Sequence, residues 1–263
     1  MNPTRWFASA LLLVVATTTS AQERSARDFQ WEGRIPQGRW LYVRNLNGGI
    51  RVERASGATA EVTAEKRVRR GDPEDVRIEM RKVGDDDVII CALWNDNTDC
   101  DEDGYRTRND GHRNRRGDEI SVEFTVRLPE GVKLVTSTVN GSLRIDGATA
   151  EVQASTVNGG ISASSSGGPV NATTVNGDID VRMRDLGTED LEFETVNGSI
   201  EVSVPDNLDA ELDMRTVNGR VSSDFPLTIS GRINPRRIRA TIGKGGRRLL
   251  FSTVNGSVEL RKS

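Results

Sequence analysis

The sequence predicts an all-β protein of β-solenoid architecture, a stack of coils of about 18–21 residues that each turn a corner at an Asn-Gly pair. Three observations lead there. The phrase Thr-Val-Asn-Gly occurs six times, ending at Gly141, Gly159, Gly177, Gly198, Gly219 and Gly256, and a degenerate copy, Asn45-Leu46-Asn47-Gly48, precedes them. From Asn140 to Asn218 the asparagines recur at intervals of 18, 18, 21 and 21 residues. A period of about 20 residues marks units that bury their apolar faces only against their neighbours. Apolar and polar residues also alternate on both sides of each Asn-Gly, the period of a half-buried strand. No stretch after the first 21 residues carries a helical period.

In chain order, residues 1–21 read as a secretory leader. Arg5 supplies the positive charge, Ala8 to Ala16 a short apolar run, and Thr19-Ser20-Ala21 a small-residue cleavage site. The run is too short to span a bilayer as a helix, and no later stretch is long enough. The expectation is an exported chain, periplasmic or extracellular, forming a single domain over residues 22–263. Leu41, Val43, Ile50 and Val52 build the first coil around Asn47. Two strands, Asp87 to Leu93 and Glu119 to Leu128, bracket a polar insertion over residues 94–118. The repeat then runs on, with Leu143 and Ile145, Leu191 and Phe193, Ile200 and Val202, Leu212 and Met214, and Leu249 and Phe251 at the inward positions. Asp146-Gly147, Gly167-Gly168-Pro169, Asp185-Leu186-Gly187 and Pro205-Asp206-Asn207 mark second turns between copies.

An antiparallel meander of hairpins is the alternative, because Asn-Gly between alternating strands also favours a type I′ turn. A meander gives no reason for the same Thr and Val at every turn. Stacked coils do, since equivalent residues then lie about 4.8 Å apart in ladders. Asn47, Asn140, Asn158, Asn176, Asn197, Asn218 and Asn255 are the predicted ladder. The valine before each Asn shares parity with outward polar positions. The expectation is that the corner, or a flanking segment, buries it; otherwise Val139, Val157, Val175, Val196 and Val217 form an exposed apolar stripe, a candidate interaction surface.

The formal charge of −3 becomes −4 once Arg5 leaves with the leader, too near neutrality for a general nucleic-acid binder. The basic clusters Lys66 to Arg70, Arg113 to Arg116 and Arg236 to Arg239 read as solvated faces. Cys91 and Cys100 are the two cysteines, and in an exported chain an isolated pair reads as a disulfide closing a small loop. Within the insertion, Asp99, Asp101, Asp103 and Asp110 fall at positions 1, 3, 5 and 12 of a calcium-loop pattern, with Gly104 at position 6. Arg106 and the missing flanking helices depart from that pattern, so the loop is expected to be plainly solvated, with calcium as the one cofactor the residues offer.

The single histidine, His112, lies in the same loop with no acid placed to complete a triad. No Gly-x-Ser-x-Gly elbow, phosphate-binding loop or HExxH motif occurs. A β-helical polysaccharide lyase or hydrolase is the rival function. It needs acids on adjacent coils, and Asp178, Asp180 and Glu201 are its candidates, in an outward column Arg144, Ser162, Asp180, Glu201, Ser222. The residues read as non-catalytic, with an unknown protein or carbohydrate of the cell envelope as partner.

Three segments carry a family likeness: Leu41 to Ile50; Arg127-Leu128-Pro129-Glu130-Gly131-Val132 leading into the first full repeat; and Ile242 to Gly246 followed by Ser252 to Gly256. The chain resembles the bacterial DUF4097 family over residues 35–262. The resemblance implies a β-solenoid-like envelope protein of adhesin type and supplies no catalytic residues. The acidic insertion stands outside the family pattern.

Overall fold

The computed structural model describes residues 28–94, 97–107, 119–229, 234 and 236–263; residues 1–21, which read as a leader, Asp110, His112 and Arg113 to Arg116 lie outside them. The described residues form 23 strands and one 3-10 turn, Pro73–Asp75. The strands make a ten-stranded sheet, an eleven-stranded sheet and a separate two-stranded hairpin.

Each repeat is one coil of a solenoid. Lys133–Ser137 lies in the eleven-stranded sheet, the chain turns at Asn140, and Leu143–Ala148 continues in the ten-stranded sheet before Val152–Ser155 returns to the first. The residues flanking each Asn-Gly therefore belong to different sheets, which rules out the hairpin meander. Successive coils pair in parallel and in register, Leu134 with Val152 and Leu143 with Ile161. The alternation read from sequence fills the space between the sheets with Leu, Ile, Val and Phe. Phe193 and Phe251 are fully buried and stack with centroids 5.1 Å apart, and each such side chain contributes about 1.5–3 kcal/mol by leaving water.

The order of coils departs from the order of the chain at both ends. The two strands that bracket the insertion, Asp87–Leu93 and Glu119–Leu128, form a coil that pairs in parallel with the Asn47 coil. The insertion stands where the other coils have their Asn-Gly corner. At the far end, Arg248–Ser252 and Val258–Lys262 sit between the coils of Asn197 and Asn218. The ladder therefore runs Asn47, Asn140, Asn158, Asn176, Asn197, Asn255, Asn218. After Ser223 the chain forms Arg237–Ile242, which pairs antiparallel with the outer edge of Ala210–Arg215. Arg237 and Arg239 reach Asp213 across that pair at 3.0 and 3.2 Å. In that sheet the outer edge of Ala210–Arg215 is taken, and Arg248–Ser252 pairs along its inner edge. The antiparallel strands Phe29–Arg34, Thr59–Arg70 and Arg77–Val83 cap the parallel stack at the opposite end, with Phe29–Arg34 and Arg77–Val83 as the edge strands of the two sheets.

Candidate binding surface

Each residue of Thr-Val-Asn-Gly has a separate task at the corner. The threonine points inward, and its hydroxyl donates to the glycine carbonyl of the preceding coil in the stack. Thr156 reaches Gly141, Thr174 reaches Gly159 and Thr195 reaches Gly177, each at 2.9 Å. In the degenerate copy the Asn45 amide fills this role, donating to the Val122 carbonyl at 2.8 Å. The asparagine carboxamides form a continuous chain in which Asn158 donates to Asn140, Asn176 to Asn158, Asn197 to Asn176, Asn255 to Asn197 and Asn218 to Asn255, at 2.7–2.8 Å. Asn47 pairs with Asn140 through the backbone, while its carboxamide donates to the Ile120 carbonyl at 2.6 Å. The glycine is required by proximity. A Cβ on Gly159 would lie 2.1 Å from the Gly141 carbonyl oxygen, and one on Gly198 would lie 1.9 Å from that of Gly177.

The valine is left outside, against the expectation of burial. Val157, Val175, Val196 and Val254 are 38–40 % exposed and Val217 is 53 % exposed, while Leu46 and Val139 are half-buried. Strand parity persists through the corner: once the threonine is committed inward, its neighbour faces solvent, and no flanking segment covers this edge among the described residues. The edge comprises six steps between neighbouring coils, about 29 Å at about 4.8 Å per step. It presents a column of valines beside a column of carboxamides.

The described part of the polar insertion forms a hairpin, Thr98–Asp101 with Gly104–Thr107, turning at a Gly104 of positive φ. The hairpin lies on the outer face of the eleven-stranded sheet. The Cys91–Cys100 disulfide ties it there. Around that bond a second small core forms from Ile89, Leu93, Tyr42, Val83 and Tyr105. Tyr105 donates to the Ala92 carbonyl at 2.8 Å, and burial raises its phenol well above the ordinary value. Arg44 is buried beneath the turn and donates to the carbonyls of Asp101 and Glu102 and to Ser137; burial lowers its guanidinium pKa. Of the calcium-pattern carboxylates, Asp99 meets Arg81, and Asp101 and Asp103 share Arg106 at 2.8 Å each. Among the described residues no three His, Cys, Asp or Glu side chains gather as a metal cage.

The outward acid column on the ten-stranded sheet gains a member that sequence order hides. Glu259 stands between Glu201 and Ser222 because the last coil inserts there. Asp180, Glu201 and Glu259 thus occupy three adjacent coils. Arg182 meets Asp180 at 3.1 Å, while Arg261 meets Glu201 at 3.2 Å and Glu259 at 2.6 Å. The hydrogen bond from Arg261 to Glu259, with the nearby Glu201 charge, raises the guanidinium pKa. Asp178 instead accepts the Ser199 backbone N–H at 2.7 Å. The threonine row, Val254 and Glu259 escaped the sequence reading. A hydroxyl recurring at inward parity was the available sign for the first, and the last Thr-Val-Asn-Gly copy for the others.

The profile of the family described as Toastrack DUF4097 matches residues 112–261, more than half of the chain. The chain belongs to the Toastrack DUF4097 family. The match contains all six full corners and leaves the Asn47 coil outside it. No curated protein matches the sequence. A solved structure described as a "putative cell adhesion protein" from Clostridium sporogenes is similar over 89 % of this chain and 99 % of that one, with 9 % identity and a TM-score of 0.39. A likeness at that score supports no argument about this Toastrack protein, whose fold rests on the pairing described above.

Proposed function

We propose that this Toastrack protein is a non-catalytic, exported module of the cell envelope that binds or scaffolds a partner protein along its valine–asparagine edge. The observation that carries the reading is the exposed valine column, repeated in register on successive coils. Soluble chains scatter their exposed apolar residues singly; a contiguous row rimmed by polar groups marks a contact surface. The Cys91–Cys100 disulfide fits an oxidising compartment, as does the leader sequence. The carboxylates of the outward column are engaged by arginines, which suits a soluble sheet face better than an acid–base pair.

The test is a triple variant, Val157→Lys, Val175→Lys and Val196→Lys, compared with the full wild-type protein in co-sedimentation with purified envelope fragments. All three side chains face solvent, so the fold should persist, as circular dichroism would verify. Binding should fall to background in the variant, and unchanged binding would overturn the assignment of the edge. Incubation with a panel of polysaccharides should release no reducing or unsaturated ends; their release would establish the rival lyase or hydrolase.

A further inference from the structure

A second surface, independent of the edge, has the composition of a sugar site. Where the hairpin ends, a groove of about 660 Å³ opens on the outer face of the eleven-stranded sheet, within the range of small-molecule sites. Its floor is Val135, Gln153, Ser155, Asn171 and Thr173, aligned across three adjacent coils by the register Val135–Gln153–Asn171 and Ser155–Thr173. One side is walled by Tyr42 and by Glu102 and Asp103 of the hairpin turn, and Trp40 stands beside Tyr42 with ring centroids 6.0 Å apart. Lys133 sits 5.0 Å over the Trp40 ring and pairs with Glu151 at 3.0 Å, which holds the indole in place.

We propose that this groove binds a neutral oligosaccharide. A pyranose ring is amphipathic, with an apolar C–H face and a rim of hydroxyls. The groove offers the complement: two half-buried aromatic rings, then carboxamides and hydroxyls that both donate and accept hydrogen bonds. The Asn171 oxygen already accepts the Glu192 backbone N–H at 2.8 Å, which orients the amide. The Gln153 amide donates to Glu151 at 3.1 Å, which leaves its oxygen as an acceptor. Charge selects within the class. The one cation of the lining, Arg44, is buried and directs its donors to the Asp101 and Glu102 carbonyls and to Ser137, whereas Glu102 and Asp103 stand on the wall and Glu192 and Glu194 follow Asn171 and Thr173 in the neighbouring coil. Such a rim repels a polyuronate and tolerates a neutral chain. A second cavity, bounded by Arg34, Arg54, Pro36 and Pro129, has no aromatic wall.

The experiment is titration calorimetry of the disulfide-intact protein with cellotetraose and chitotetraose as neutral probes and tetragalacturonate as the anionic one. At least one neutral tetramer should bind, and Trp40→Ala and Gln153→Ala should each weaken it by about tenfold or more. Gln153 is exposed, so its variant tests the site even if Trp40→Ala is poorly folded. Val196→Lys, on the distant edge, should leave sugar affinity unchanged, which separates failure of this proposal from failure of the edge. Absence of heat with both neutral probes at millimolar concentration would overturn the proposal. So would wild-type affinity in Gln153→Ala, or tighter binding of tetragalacturonate.

Discussion

Replacing Gly177 by alanine places a methyl carbon 2.0 Å from the Gly159 carbonyl oxygen and 2.4 Å from its carbon. Ordinary contact begins at about 3.4 Å, so the two coils must part locally by more than about 1 Å. Four hydrogen bonds cross the joint there. The Gly159 N–H donates to Asn176 O at 2.9 Å and the Asn176 N–H to Val157 O at 2.8 Å. The Thr174 hydroxyl donates to Gly159 O at 2.9 Å, and the Asn176 carboxamide to Asn158 at 2.8 Å. At about 1 kcal/mol net for each bond, less an offset of about 0.4–1 kcal/mol from the stiffer unfolded chain, the cost is about 3 kcal/mol. Gly177 has no positive φ, so proximity and not backbone conformation sets this figure. Gly57→Ala is the control, because nothing lies within 4 Å of the added carbon; it should be neutral or stabilising by up to about 1 kcal/mol. Urea unfolding followed by circular dichroism reads both. A loss below about 1 kcal/mol for Gly177→Ala would refute the steric account of the repeat.

Other outcomes follow from the same geometry. Phe193→Ala removes a fully buried ring and should cost about 3–5 kcal/mol in the urea midpoint analysis. Glu194→Ala loses one exposed contact to Arg215 at 3.5 Å and should change stability by less than about 0.5 kcal/mol. Burial raises the phenols of both Tyr42 and Tyr105 above their ordinary value of about 10. Stability from their neutral phenols is complete below that pH and is lost as pH rises through the raised values, so phenolate absorbance should stay low at pH 10 in native protein and rise once the disulfide is reduced in urea. Alkylation of denatured, unreduced protein should label neither cysteine. Because Arg81 and Arg106 hold Asp99, Asp101 and Asp103, calcium titration should give no heat above dilution; heat abolished by Asp99→Ala/Asp101→Ala would establish the metal loop instead.

The coil was legible because its signature residues contact their own copies: Asn bonds Asn, Thr bonds the Gly of the preceding coil, and the glycines admit the close approach. The strands Asp87–Leu93 and Glu119–Leu128 were legible from alternation alone. The hairpin was harder, since Asp99, Asp101 and Asp103 recur at a period of two. That is the period of a calcium loop's ligands and equally of a strand whose other face, Thr98 and Cys100, is buried. The valine was misjudged by assuming that a corner resets parity. The placement of Glu259 beside Glu201 depends on which edge Arg237–Ile242 leaves open, a long-range competition that no local window contains. The groove was illegible for a similar reason: its floor comes from the coils after the insertion, and its wall from the first coil and the insertion's own hairpin.

The wedged position of residues 248–262 sets an order of assembly. The coil of Asn218 has no parallel neighbour of its own until those residues arrive, because they supply its inner face in both sheets. Growth from the first coil can proceed rung by rung as far as Asn197 and must then wait. The final segment threads between two surfaces already made and locks both, so the stack closes like an arch receiving its last stone, not like a coil of rope paid out to its end. A chain emerging from its amino end therefore carries an unfinished terminus through most of its synthesis, and the last rungs to form are the ones that make the edge continuous.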